Sequence, residues 1–156
     1  MGFIKSVLVV LAASCLVSCN REASGPPVGE HLDPQVKATE LAALSGTWTY
    51  ERHLARGKES ALGKDSISIN GTQLTLEIYN GDKRLTPVHC TISIDPTANP
   101  KQLDMDAKLP SGITRWPAIY KLEGNTLTIC RSTSSTRPTD FSGTGSDTFL
   151  SVLKRR

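Results

Sequence analysis

Aromatic side chains are scarce in this chain, with two Trp, three Tyr and three Phe among 156 residues. A buried core must therefore be built largely from Val, Ile and Leu. Histidine is scarcer still. His31, His53 and His89 stand far apart, whereas metal sites draw on ligands at short, repeated spacings, so no metal is expected. His89 and Cys90 are adjacent on an extended segment and point to opposite faces, which prevents them from sharing one ion. There is no Gly-x-Ser-x-Gly turn to present a nucleophile. A phosphate loop and a dinucleotide fingerprint are also missing, so neither catalytic residues nor a cofactor are expected, and the chain does not read as an enzyme. Charge of one sign is lacking too: the formal net charge is +3. That excludes the concentrated basic face of a nucleic-acid binder. The terminal Lys154-Arg155-Arg156 reads as a solvated basic tip.

No apolar run is long enough to span a bilayer, which takes about 20 residues. The longest is Val7 to Val17, interrupted by Ser14 and Cys15 and preceded by a single cation, Lys5. That is the layout of an export signal, with a charged start and a short apolar stretch. It closes on Leu16-Val17-Ser18-Cys19, which resembles the lipobox of bacterial lipoproteins. The resemblance implies diacylglycerol on the Cys19 thiol and cleavage after Ser18. Two or three acyl chains hold a protein at a membrane where one does so only marginally. Residues 1–18 are then a signal peptide. Its removal takes away only Lys5 and leaves 17 Lys and Arg against 15 Asp and Glu. The mature protein would sit in the cell envelope with the membrane as its partner through Cys19. Asn20, in place of an inner-membrane retention Asp, slightly favours the outer membrane.

Beyond Cys19 only Cys90 and Cys130 remain. Export invites a disulfide, but the alternation of apolar residues argues against one. Cys90 shares a face with Val88, Ile92 and Ile94, while Cys130 is out of phase with Leu127 and Ile129. Sulfurs on opposite sides of a sheet do not reach bonding geometry. Both thiols are expected free, with Cys90 shielded and Cys130 the more reactive.

Residues 19–32 carry Ser24-Gly25-Pro26-Pro27 and no apolar period, and read as the lipidated Cys and a flexible tether. From residue 33 to 156 the chain reads as one domain. Asp33-Pro34 opens a short helix, Asp as cap and Pro in the first turn. Val36, Ala43 and Leu44 are placed on its apolar face, and Gly46 ends it. Period-two patterning then takes over, with Trp48, Tyr50 and Leu54 on one face and Thr47, Thr49, Glu51 and His53 on the other. Further strands are predicted around Ile67–Ile69, Leu74–Ile78, Val88–Ile94, Leu103–Ala107, Trp116–Leu122, Leu127–Ile129 and Phe149–Leu153. Asn70-Gly71 is a strong hairpin signal. Pro117 suggests an edge or a bulge. About eight strands, most joined by short loops, point to an all-β, antiparallel barrel or sandwich with a short N-terminal helix.

The ordered segments Leu44-Ser-Gly-Thr-Trp48-Thr, Gly71-Thr-Gln-Leu-Thr-Leu76, Ile94-Asp-Pro96 through Asp104, Ala118-Ile-Tyr through Cys130, and Arg137-Pro-Thr-Asp-Phe141 resemble a small uncharacterised domain family of planctomycete bacteria. The family is often exported and is described as lipocalin-like. The resemblance implies an eight-stranded lipocalin-like barrel, and carries no activity with it. Gly46-Thr47-Trp48 also resembles the start of lipocalins, which implies that Trp48 packs across one barrel end. A small apolar or amphipathic ligand in the barrel is the function this implies. The competing reading is an envelope structural or interaction protein with a filled barrel and no ligand.

One segment stands apart, the Ser/Thr/Gly-rich stretch from Ser132 to Thr148. Long loops in compact domains are functional or flexible. As a flexible crossing it has no role; as a lid at a barrel mouth it would bring Arg131, Arg137 and Phe141 to a ligand or partner.

Overall fold

The computed structural model describes residues 33–156. The expected signal peptide, lipidation site at Cys19 and tether lie outside the described residues. The helix α1 spans Pro34–Leu44, and Asp33 caps it by accepting the Gln35 N–H at 2.9 Å. Eleven strands follow: β1 Gly46–Ala55, β2 Lys58–Glu59, β3 Ser66–Asn70, β4 Gln73–Glu77, β5 Tyr79–Asn80, β6 Lys83–Arg84, β7 Val88–Asp95, β8 Lys101–Leu109, β9 Gly112–Glu123, β10 Thr126–Ser132 and β11 Thr148–Arg155. Eight of them close a barrel in the order β1-β3-β4-β7-β8-β9-β10-β11, with β11 returning to pair with β1. Every pairing is antiparallel. Closure leaves the eight barrel strands without an open edge. The short β2 lies against the end of β1, and β5 and β6 form a separate ribbon. The β3–β4 hairpin turns at Gly71, whose φ of 56° suits a residue without a Cβ.

Inward residues fill the barrel. Leu74, Cys90, Ile92, Leu103, Met105, Ala107, Leu127 and Leu153 are all at most 2% exposed. One end is shut by α1. Leu41 and Leu44 pack inward, whereas Val36 is 45% exposed, contrary to the face drawn from the sequence. Val36 stands about 140° around the helix from Leu41, so the two cannot point the same way. Glu40 fastens the helix to the barrel: its Oε1 accepts from Lys101 Nζ at 2.7 Å and from the Tyr120 hydroxyl at 3.1 Å. Trp48 is fully buried at this end, and its indole N–H donates to Leu44 O at 3.0 Å. Arg155 covers the ring, its guanidinium carbon 4.2 Å from the ring centroid. The same guanidinium donates to Ser45 O and Ala43 O, each at 2.6 Å. Arg155 is thus not part of a solvated tip. It satisfies carbonyls left unpaired at the end of α1, where a cation is favoured.

One sequence expectation fails along the strands, and the one for Pro117 holds as a local edge and not as a bulge. The register between β1 and β11 slips between Tyr50 and Arg52, leaving Glu51 as a bulge. An extra residue reverses the phase of everything after it. His53 therefore turns inward opposite Ser151, and Leu54 turns outward. At Pro117, β9 runs through without a register shift. The last pair between β9 and β10 is Ala118 with Arg131, so Pro117 lies just past the end of that ladder.

The segment from Thr133 to Asp147 is a strap along the outer wall. Outward residues Leu54, Ile119, Cys130 and Leu150 form a second apolar cluster, with Phe141 packed on it. Arg137 pins the strap by donating to Leu103 O at 3.1 Å, Ala118 O at 2.6 Å and Asp104 Oδ1 at 2.6 Å. Gly143, at φ 65°, fits closely enough that an added Cβ would stand 2.7 Å from the Leu150 Cβ.

The strap changes the expected thiol chemistry. Cys90 faces the barrel core and Cys130 the outer cluster, both are free, and each is 1% exposed. Cys130 is on the outer face, as its phase requires, but it is covered. Burial pushes the Cys90 thiol up to about 11 and also raises Cys130. For Cys90 the thiolate fraction near neutral pH is then about a hundredfold below that of a thiol at its ordinary value. Both should alkylate slowly in the folded protein and fully on non-reducing denaturation, as followed by intact mass. Rapid native labelling of Cys130 would show that the strap does not cover it, and a two-hydrogen deficit would show a disulfide.

Candidate functional site

At the end opposite α1 the barrel filling is incomplete. A pocket of about 210 Å³ opens there, with Tyr50, His53, Arg131 and Ser151 on its barrel side. Ala61, Leu62 and Gly63, from the segment between β2 and β3, line it from outside, and Leu76 and Ile78 add apolar wall. Eight strands enclose a space that side chains can fill or that can hold one small ligand. Here the α1 end is filled and the opposite end is open.

Arg131 is the unusual member. It continues the inward series Leu127, Ile129 along β10, and so brings a guanidinium into the barrel. The guanidinium packs over Trp116 at 4.5 Å and Phe149 at 4.3 Å, measured to the ring centroids. Such contacts are worth about 0.5–2 kcal/mol each. They do not use its N–H groups, and the buried Nη1 has no hydrogen-bond partner among the described residues. No described carboxylate forms an ion pair with it. Asp65, which also lines the pocket, accepts from the Tyr79 N–H at 2.7 Å, and Glu77 is paired with Arg84. Burial draws Arg131 down from its ordinary value, but a guanidinium stays charged at neutral pH.

The neighbouring groups are tuned by the same burial. The Tyr50 hydroxyl is pushed up to about 12, so it stays protonated and able to donate. His53 is lowered from its ordinary value, first by burial and then by the nearby Arg131 charge, which favours the neutral ring. Its Nδ1 lies 3.1 Å from Ser151 Oγ, and its ring meets Tyr50 edge-on at 5.4 Å between centroids. At neutral pH this wall therefore offers one fixed positive charge and several hydrogen-bond donors.

The three contact residues expected from the sequence do not share a site. Arg131 faces the pocket, while Arg137 and Phe141 lie on the strap outside the barrel wall. Tyr50 was legible as an inward aromatic. His53 was not, because the bulge that turns it inward has no signature in the local residue pattern. The inward direction of Arg131 was available from the alternation of Leu127 and Ile129, had the strand been extended by one step. Asp104 and Asp106 face outward and pair with Arg137 and Arg115.

The fold and the pocket together define a closed eight-stranded antiparallel barrel with one plugged and one open end. No protein-family model, curated protein or solved structure matches the chain.

Proposed function

We propose that the chain is an exported, lipid-anchored binding module that takes a small amphipathic molecule at the open end of a lipocalin-like barrel. The observation that carries this reading is the mouth pocket, where Arg131, with no partner for its Nη1 among the described residues, stands in a mixed wall of apolar side chains (Leu62, Leu76, Ile78) and polar ones (Tyr50, His53, Asp65, Ser151). The role is binding rather than catalysis. The pocket's 210 Å³ is smaller than the ~300–1,000 Å³ that suits drug-sized ligands, so the guest is small. The filled lower barrel also favours a second reading, an envelope interaction protein with no ligand. Native mass spectrometry of the protein purified from its own host separates the two: a copurifying small molecule supports the first, and a bare chain the second.

The anchor rests on Leu16-Val17-Ser18-Cys19 and on the likeness to the planctomycete domain family. Cys19→Ala is expected to abolish incorporation of a fatty-acid analogue and to leave the protein soluble or as uncleaved precursor. Label retained on that variant would refute the assignment of Cys19.

A further inference from the structure

We infer that the mouth pocket is a receptor for a small organic monocarboxylate whose apolar body rests against Leu62, Leu76 and Ile78 while its carboxylate meets Arg131. This deepens the binding reading above and rests on it. The buried Nη1 of Arg131 has no partner among the described residues, although its guanidinium is held in place by Trp116 and Phe149. A desolvated donor of this kind is costly to leave unmade. Two aromatic faces fix the plane of the fork, which reduces the ordering needed to meet a planar carboxylate.

The surrounding groups narrow the anion. Asp65 and Glu77 also line the pocket, so a multiply charged guest would meet repulsion there. Neutral Tyr50 and Ser151 hydroxyls can donate without adding charge. Among the described residues Arg131 is the one cation in the wall, so it can meet one carboxylate and not two, and the leucine and isoleucine side chains disfavour a guest that is polar throughout, such as inorganic phosphate. The volume of about 210 Å³ suits a short-chain or single-ring acid better than a long acyl chain.

The test is isothermal titration calorimetry on the full chain in a non-ionic detergent, with hexanoate, hexanamide and inorganic phosphate as probes. Hexanoate should bind about tenfold to a hundredfold more tightly than hexanamide, the range of one charge-assisted hydrogen-bonded contact. Phosphate should give no saturable heat. In Arg131→Met, which keeps a flexible apolar stem between the two rings, the preference for hexanoate should vanish while weak hexanamide binding persists. Equal affinities for the two organic probes in the wild-type chain would overturn the inference, and that comparison requires no variant to fold. Preference retained in a folded Arg131→Met would overturn it as well, as would phosphate binding as tight as hexanoate. Binding of hexanamide alone would leave the pocket reading standing without the carboxylate. Failure of both organic probes to bind would remove the pocket reading together with the inference.

Discussion

Trp48→Ala should lower the melting temperature by on the order of 10–20 °C or prevent the protein from accumulating. The ring is fully buried beneath α1, and its removal takes away three things together. It empties a large volume, at about 3–5 kcal/mol for an aromatic truncated to Ala in a packed interior. It deletes the hydrogen bond to Leu44 O, which ties the helix end to β1. It also leaves Arg155 without the ring beneath its guanidinium, which is the group that satisfies Ala43 O and Ser45 O. A domain of this size is held by about 5–15 kcal/mol, so a loss of this order consumes much of its stability. Trp48→Phe should cost clearly less, because most of the apolar contact survives and only the N–H is lost. Thermal melts followed by circular dichroism provide the comparison. An unchanged melt for Trp48→Ala would mean that the ring does not close this end of the barrel.

The second large effect concerns the strap. Phe141→Ala should destabilise by about 2 kcal/mol, less than a fully buried Phe because the ring is only partly covered. Arg137→Ala should cost roughly 1–2 kcal/mol, since its bonds to two carbonyls and to Asp104 are lost but are partly open to solvent. Gly143→Val should act more locally and more severely at the strap. It combines a left-handed φ of 65° with a Cβ driven to 2.7 Å from the Leu150 Cβ. Cys130 reports the result. Its native alkylation should accelerate by about tenfold or more in Phe141→Ala and Gly143→Val, as local opening exposes the outer cluster. Cys90, on the other side of the wall, should not change. A lid over the mouth would behave differently: melts would stay near wild type and Cys130 would be indifferent to Phe141. That outcome would favour the lid, one of the two roles that the sequence leaves open for this segment.

Several features of the molecule were legible from residue order alone. Alternation placed the eight barrel strands, because one face of each must be apolar and the other wet. Asp33-Pro34 opened the helix through capping chemistry, Gly46 marked where it had to stop, and Asn70-Gly71 marked a hairpin. The opposite phases of Cys90 and Cys130 separate the two thiols from residue order alone. These are local properties, set by the pleat of a strand and by the unpaired groups at a helix end. The pocket and the strap are not local. One bulged residue at Glu51 reversed the phase of β1 and brought His53 to Tyr50 and Ser151, which are brought together only when β11 pairs with β1. A Ser/Thr/Gly-rich segment gave no sign that Phe141 would cover Cys130, since the surface it packs on is assembled from β1, β9, β10 and β11. A basic terminus likewise looked solvated until closure of the barrel set Arg155 over Trp48. The sequence by itself determined the elements and their two faces, through periodicity and capping. Only the tertiary structure decided which outward face would be covered and which inward charge would be left without a partner, because both depend on strands far apart in the chain meeting in a single register.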